Sequence, residues 1–159
     1  MNDKQTILTL LLSKAVLKAM TPEAERAVPD GMIESGLISI RQFPFRVGRE
    51  SRGAIVDGEF QRTERPRFGN RKPDNDLYLI DAGPLLHISR EHFQIESTAE
   101  GYLLVDRGSA CGTTVCGIRV GGSDTGGSAP LRDGDTIGIG TESTPYRFTF
   151  ISGLISDSR

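Results

Sequence analysis

The sequence predicts an all-β chain, a sandwich or barrel of short strands behind a short N-terminal helical extension. Two observations carry that prediction. From Leu37 onward, short strand-like runs follow one another between turn signals, with no helical period among them. Glycine is abundant, 19 of 159 residues, and tryptophan is absent, a composition that suits many tight turns better than a helical bundle. The length fits one domain plus an extension and suffices for a core of sandwich size.

Taken in order, residues 4–20 read as one amphipathic helix, with Ile7, Leu8, Leu11, Leu12, Ala15 and Ala19 on a broad apolar face. Thr21-Pro22-Glu23 then resembles an N-cap, a proline at the first helical position and an acid in the first turn. A short second helix to about Val28 follows, and "PDG" at 29–31 breaks it. The strand-like runs are "LISIRQF", "FRVGR", "LYLID", "HFQIES", "YLLVD", "TTVCGIRV", "DTIGIG" and "YRFTFI", punctuated by turns at "EGY", "CG" (116–117) and "RDGD". Two stretches interrupt them. Residues 51–74 are polar, contain the basic tract "QRTERPRFGNRK" and read as a solvated insertion, while "GGSDTGGSAP" at 121–130 has the composition of a flexible loop. The expected organisation is a helical extension over 1–35, a sandwich over 36–153 and a disordered tail over 154–159.

Net charge is only −2, so no global field recruits nucleic acid or an anionic membrane, and any anion site is local. The "ILTLLL" run is interrupted by Lys14 and Lys18. It falls short of the ~20 apolar residues that span a bilayer, and it reads as neither signal peptide nor anchor. Cys111 and Cys116 flank "GTTV". Five extended residues cover ~16 Å, too far for a disulfide, and two thiols alone make no zinc site. A reduced, cytoplasmic compartment fits.

The densest chemistry lies in "HISREHFQI", residues 87–95. Ser89, His92 and Asp106 could be imagined as a hydrolytic triad, but no G-x-S-x-G elbow is present. In extended chain Ser89 and His92 would also face opposite sides. His87 and His92 are the only histidines and sit five apart, whereas helical zinc pairs sit four apart and need further ligands. Anion binding suits the residues better. Arg49 follows Gly48 where a strand runs into a loop, and Ser89 and Arg90 precede another strand. If those loops meet, two guanidinium forks and a hydroxyl form a phosphate cradle through charge-assisted hydrogen bonds.

The motifs "FPFRVGRE", "DNDLYLID", "ISREHFQI", "YLLVDRGSACGTTVCG", "LRDGDTIGIG" and "YRFTF" come in an order that closely resembles a forkhead-associated (FHA) domain over about Leu37 to Ile151. The resemblance implies a β-sandwich of about eleven strands that binds phosphothreonine peptides through loops at one end, without catalysis or cofactor. On matching positions it implies phosphate contacts from Arg49 and Ser89, with Arg90 reaching phosphate or nearby peptide. Ser109, Ala110 and Cys111 would form the last recognition loop. Gly48, His92, Gly112 and Thr113 would support the site structurally. The chain departs from the family where S-x-N-G-T is frequent: it has Ser109-Ala110-Cys111-Gly112-Thr113. A thiol replaces poorly an amide that both donates and accepts.

The leading expectation is a module that binds a threonine-phosphorylated protein in signalling or assembly. The alternative is a phosphate-independent assembly module using the sandwich and the apolar N-terminal helix, which makes residues 4–20 a candidate for self-association. Neither nucleic acid nor membrane is an expected partner: the basic tract is short, contains one Phe and sits in a net acidic chain.

Overall fold

The computed structural model describes residues 3–50, 53–56, 59–62, 73–83 and 85–153. Helix α1 (Asp3–Leu12) leads into β1 (Ala15–Ala19), α2 (Pro22–Ala27), β2 (Leu37–Ile40) and β3 (Phe45–Arg49). A hairpin of β4 (Gly53–Val56) and β5 (Glu59–Arg62) comes next, then β6 (Leu77–Leu79), β7 (Phe93–Thr98) and β8 (Gly101–Asp106). The chain continues through β9 (Thr113–Val115), β10 (Ile118–Val120), β11 (Gly127–Leu131), β12 (Thr136–Ile139) and β13 (Arg147–Ile151). Eleven of these strands form a sandwich: six in the order β10-β9-β12-β13-β1-β2 and five in the order β11-β8-β7-β3-β6. The β4–β5 hairpin is a separate two-stranded sheet. Among the described residues no helix is long and apolar enough to cross a membrane.

The strands follow the alternation of the sequence. In β2 and β13 every second residue is buried (Ile38, Ile40; Phe148, Phe150), and β7 does the same with Phe93 and Ile95. The two inner faces meet in one cluster containing Leu17, Ile38, Ile40, Val47, Leu77, Leu79, Phe93, Ile95, Leu104, Leu131, Ile137, Ile139, Phe148 and Phe150. Burying each such large side chain contributes about 1.5–3 kcal/mol. The "CG" turn joins β9 to β10 with Cys116 at φ 51° and Gly117 at φ 81°, the left-handed pair that two-residue hairpins with a type I′ turn require.

Two expectations are corrected. Residues 4–20 do not form one helix: α1 stops at Leu12, and Ala15–Ala19 is a strand hydrogen-bonded to β13 on one side and β2 on the other. Helical periodicity is a weak prior, and two complete ladders together with the burial of Ala15, Val16 and Leu17 outweigh it. The stretch 1–35 therefore supplies an interior strand of the sandwich rather than only a helical extension. The second helix forms as expected, with the Thr21 hydroxyl accepting from Ala24 N–H at 3.0 Å and Pro22 at the first turn. It packs onto the core through Ala24, Ala27 and Val28.

The two polar stretches fare differently. Within 51–74 the chain makes the β4–β5 hairpin, while the 63–72 part of the basic tract and the 154–159 tail lie outside the described residues. Residues 121–130 are not a flexible loop throughout: Gly127–Leu131 pairs with β8 as β11. Composition alone hides this strand, because a glycine-rich edge needs only backbone partners to form a ladder.

Candidate functional site

The site is assembled at one end of the sandwich, where β3 ends, β6 runs to β7 and β8 runs to β9. The chain from β6 is held at that end by Asp81, a buried carboxylate. Its Oδ2 accepts from His87 N–H (2.7 Å) and Ile88 N–H (3.1 Å), and its Oδ1 accepts from the Tyr146 hydroxyl at 2.8 Å. These bonds fix the backbone immediately before Ser89.

Arg49 and Ser89 meet across the first two loops. Arg49 N–H donates to Ser89 O at 3.0 Å, its Nε to Ile88 O at 2.8 Å and its Nη1 to Glu50 O at 3.2 Å. The residue is only 4% exposed, so its guanidinium lies along the wall of the site rather than reaching out from it. The third loop closes on the same point, since Ala110 N–H donates to Ser89 Oγ at 3.0 Å. Arg49, Ser89 and Ala110, sixty-one positions apart in sequence, thus form one contiguous set of donors and a hydroxyl.

Gly48 is required by space. A Cβ built there would lie 2.1 Å from Arg90 O and 2.7 Å from the Asn75 amide, closer than any real contact. Arg90 therefore anchors the loop through its carbonyl, which accepts from Asn75 Nδ2 at 2.7 Å, while its side chain is half-buried. Asn75 in turn accepts from Arg107 Nη1 at 2.6 Å, and Arg107 pairs with Glu91 at 3.3 Å. The return of the 51–74 insertion is tied into the recognition loop by these bonds and by Asp74 N–H on Glu91 Oε2 at 2.8 Å.

His92 is fully buried and bridges two loops. A backbone N–H can only donate, so the 2.9 Å contact from Ser89 N–H makes Nδ1 the acceptor. Nε2 then carries the proton and donates to Gly112 O at 2.7 Å. Burial lowers the imidazole pKa, an effect that the Gly112 hydrogen bond and Asp106 oppose and Arg107 reinforces. The neutral tautomer is the one both bonds need. The imagined triad does not form: Nδ1 addresses the Ser89 amide rather than its hydroxyl, and Asp106 is committed elsewhere.

Asp106 shapes the last loop. Its Oδ1 accepts from Gly108 N–H (3.0 Å) and Ser109 N–H (2.9 Å), and its Oδ2 from the hydroxyls of Ser109 (2.6 Å) and Thr113 (2.8 Å). Ser109 Oγ also accepts from Gly112 N–H at 3.0 Å. Gly112 sits at φ 86° with Gly121 O against it, a conformation that favours glycine. The β10–β11 turn rests on this loop, with Ser123 N–H on Ala110 O and Asp124 N–H on Ser109 O, both 2.9 Å.

The expected ligand-facing set is therefore divided. Ser109 is 0% exposed with its hydroxyl bonded to Asp106 and to Gly112 N–H. Ala110 is exposed, and Cys111 is half-buried with its thiol 3.6 Å from Leu86 O. Asp81, Asn75, Asp106 and Arg107 were missed as site residues. "DRGS" at 106–109 carries the signature of an Asx turn, in which an aspartate accepts from amides two and three residues on. That signal could have identified Asp106; nothing local marks the other three.

Fold and site together define a β-sandwich that presents a loop-built polar surface at one end. The FHA domain family matches residues 67–140, 74 of the chain's 159 residues. The match holds Ser89 through Thr113 but not Gly48 or Arg49. Among solved structures, an FHA domain from a study of phosphothreonine-dependent FHA interactions is similar, with 21% identity over 86% of this chain and 94% of that one, TM-score 0.47. Mycobacterium tuberculosis EmbR in complex with a low-affinity phosphopeptide shares 19% identity over 99% of this chain and 30% of that chain, TM-score 0.50. The FHA domain of an Arabidopsis thaliana protein shares 20% identity over 94% and 92%, TM-score 0.48. At 19% identity the likeness to EmbR concerns the fold alone. No curated protein matches the sequence.

Proposed function

We propose that this chain is a non-catalytic module that binds a threonine-phosphorylated protein, receiving the phosphate where Arg49, Ser89 and the Ala110 amide converge, with Arg90 beside them. The observation that carries this reading is the closure of three loops on Ser89: the Arg49 backbone on its carbonyl and Ala110 N–H on its hydroxyl, at 3.0 Å each. A phosphomonoester brings about −1.5 to −2 charge and several acceptor oxygens, which suit a guanidinium, a hydroxyl and a backbone amide. The donors are held in advance by His92 and Asp106, which lowers the ordering cost of binding.

Titration calorimetry with a phosphothreonine peptide library and its unphosphorylated counterpart tests the proposal. Binding is expected only with phosphate, and Ser89→Ala and Arg49→Ala are expected to weaken it at least tenfold. Arg49 is buried, so melting temperature is read alongside, and Ser89→Ala keeps the test independent of folding. Equal binding of both libraries sinks the proposal. Cys111→Asn is expected to strengthen binding, because an amide restores a donor and an acceptor toward peptide backbone; one such bond is worth about 1 kcal/mol.

The thiol at Cys111 and the solvent-facing leucines of α1 favour a second reading, phosphate-independent assembly. It predicts partner capture that survives Ser89→Ala.

A further inference from the structure

Arg107 stands one residue beyond β8, where the third loop begins. The Phe93–Asp106 pair ends the β7–β8 ladder, and Arg107 N–H donates to His92 O at 2.8 Å. Asp106 is buried, so strand alternation carries the Arg107 side chain to the opposite face. There its guanidinium meets the return of the 51–74 insertion: Nη1 donates to Asn75 Oδ1 at 2.6 Å and Nη2 to Asp74 O at 2.8 Å. Nη2 also lies 3.3 Å from the Glu91 carboxylate, with side-chain exposures of only 13 and 14%. Arg107 thus ties the third loop to both Asp74-Asn75 and the recognition loop.

A guanidinium has donors and no acceptor, so it decides which way round the Asn75 amide sits. Oδ1 faces Arg107, and Nδ2 is left to donate to Arg90 O at 2.7 Å. Turned over, the amide would set its NH2 against the guanidinium and its oxygen against the Arg90 carbonyl. Two repulsive contacts would replace two hydrogen bonds. The amide is also packed on Gly48, since a Cβ there would come within 2.7 Å of both Oδ1 and Nδ2. One peptide earlier, Ser89 O accepts from Arg49 N–H at 3.0 Å. Both carbonyls of the Ser89-Arg90 pair are thereby fixed, and with them the directions in which the two side chains leave the backbone.

We propose that Arg107 is a positioning residue of the phosphate site, acting through the Asn75 amide on the Arg90 carbonyl. The proposal rests on the phosphate reading of Arg49, Ser89 and Arg90. The test is titration calorimetry of the full chain with the phosphothreonine peptide that the wild type binds tightest, with melting temperature read alongside. Arg107→Met should weaken binding about fivefold, the worth of one lost hydrogen bond. Asn75→Asp is nearly isosteric and still accepts from Arg107, but it cannot donate to Arg90 O. It should weaken binding at least as much. Asn75→Ala with Arg107→Met should cost little more than Asn75→Ala alone, because both break one path. The Asn75 side-chain amide resonances should shift in Arg107→Met while the sheet amides stay in place, a signature that general destabilisation would not give. Fully additive losses, or an unmoved Asn75 amide, overturn the proposal. Equal wild-type affinity for phosphorylated and unphosphorylated peptide overturns the phosphate reading and this inference with it. Phosphate-dependent binding indifferent to Arg107→Met overturns this inference alone.

Discussion

His92 holds two of the three loops through a single neutral ring, which makes the site sensitive to acid. Burial lowers its pKa below the ordinary 6.5, so the unfolded chain takes up the proton more readily than the folded one. The stability it contributes is whole above about pH 6.5 and is lost as pH falls from there through the folded pKa, by at most about 1.4 kcal/mol per pH unit. Urea unfolding between pH 5 and 8 should show this decline, and His92→Gln should flatten it above the carboxylate range. Gly48 is constrained by space. Gly48→Ala pushes a methyl into Arg90 O, and overpacking of this kind costs about 1–3 kcal/mol. Because the displaced carbonyl belongs to the recognition loop, phosphopeptide affinity should fall by tenfold or more, read by calorimetry at a temperature where the variant remains folded. Gly48 and His92 stand in the sequence motifs beside the residues proposed to hold the anion. The contacts of Asp81 and Asn75 were not legible there, since their partners lie up to sixty-five positions away.

At the scale of elements, β1 is the instructive case. Its residues satisfy a helical pattern with residues 4–14 before them, yet they pair Val16 with Ile151 and Ser39. Those partners come from β13 and β2, one of them at the far end of the chain. A truncated chain beginning at Met32 loses an interior strand and opens the sheet between β13 and β2. It should be unfolded by circular dichroism, whereas one beginning at Ser13 should keep the cooperative unfolding of the sandwich. The β9–β10 hairpin is the opposite case, because a local "CG" turn and flanking alternation determine it without distant help. β11 resembles β1: glycine, serine and proline carry no strand signal, and the ladder to β8 forms them into one.

Across the whole molecule the proposed anion grip is local, on a chain of net charge −2 without a long-range field behind it. Raising salt from about 0.1 M to 1 M shortens screening from ~10 Å to ~3 Å. Contacts made at close range in a half-buried site should then lose about tenfold or less in phosphopeptide affinity, measurable by calorimetry across a salt series. A much steeper loss would point to diffuse charge attraction instead. The amino-acid sequence by itself determined the all-β class, nine of the strands, the capped helix at Pro22–Ala27 and the residue types of the proposed anion grip. Those features rest on interactions within a few residues: alternation, turn chemistry and capping. Tertiary structure decided that 15–19 is a strand, that Ser109 turns inward to Asp106, and that Arg49, Ser89 and Ala110 share one point. Each of those depends on partners tens of residues away, and no local pattern encodes which distant backbone will complete a ladder or where three loops will close.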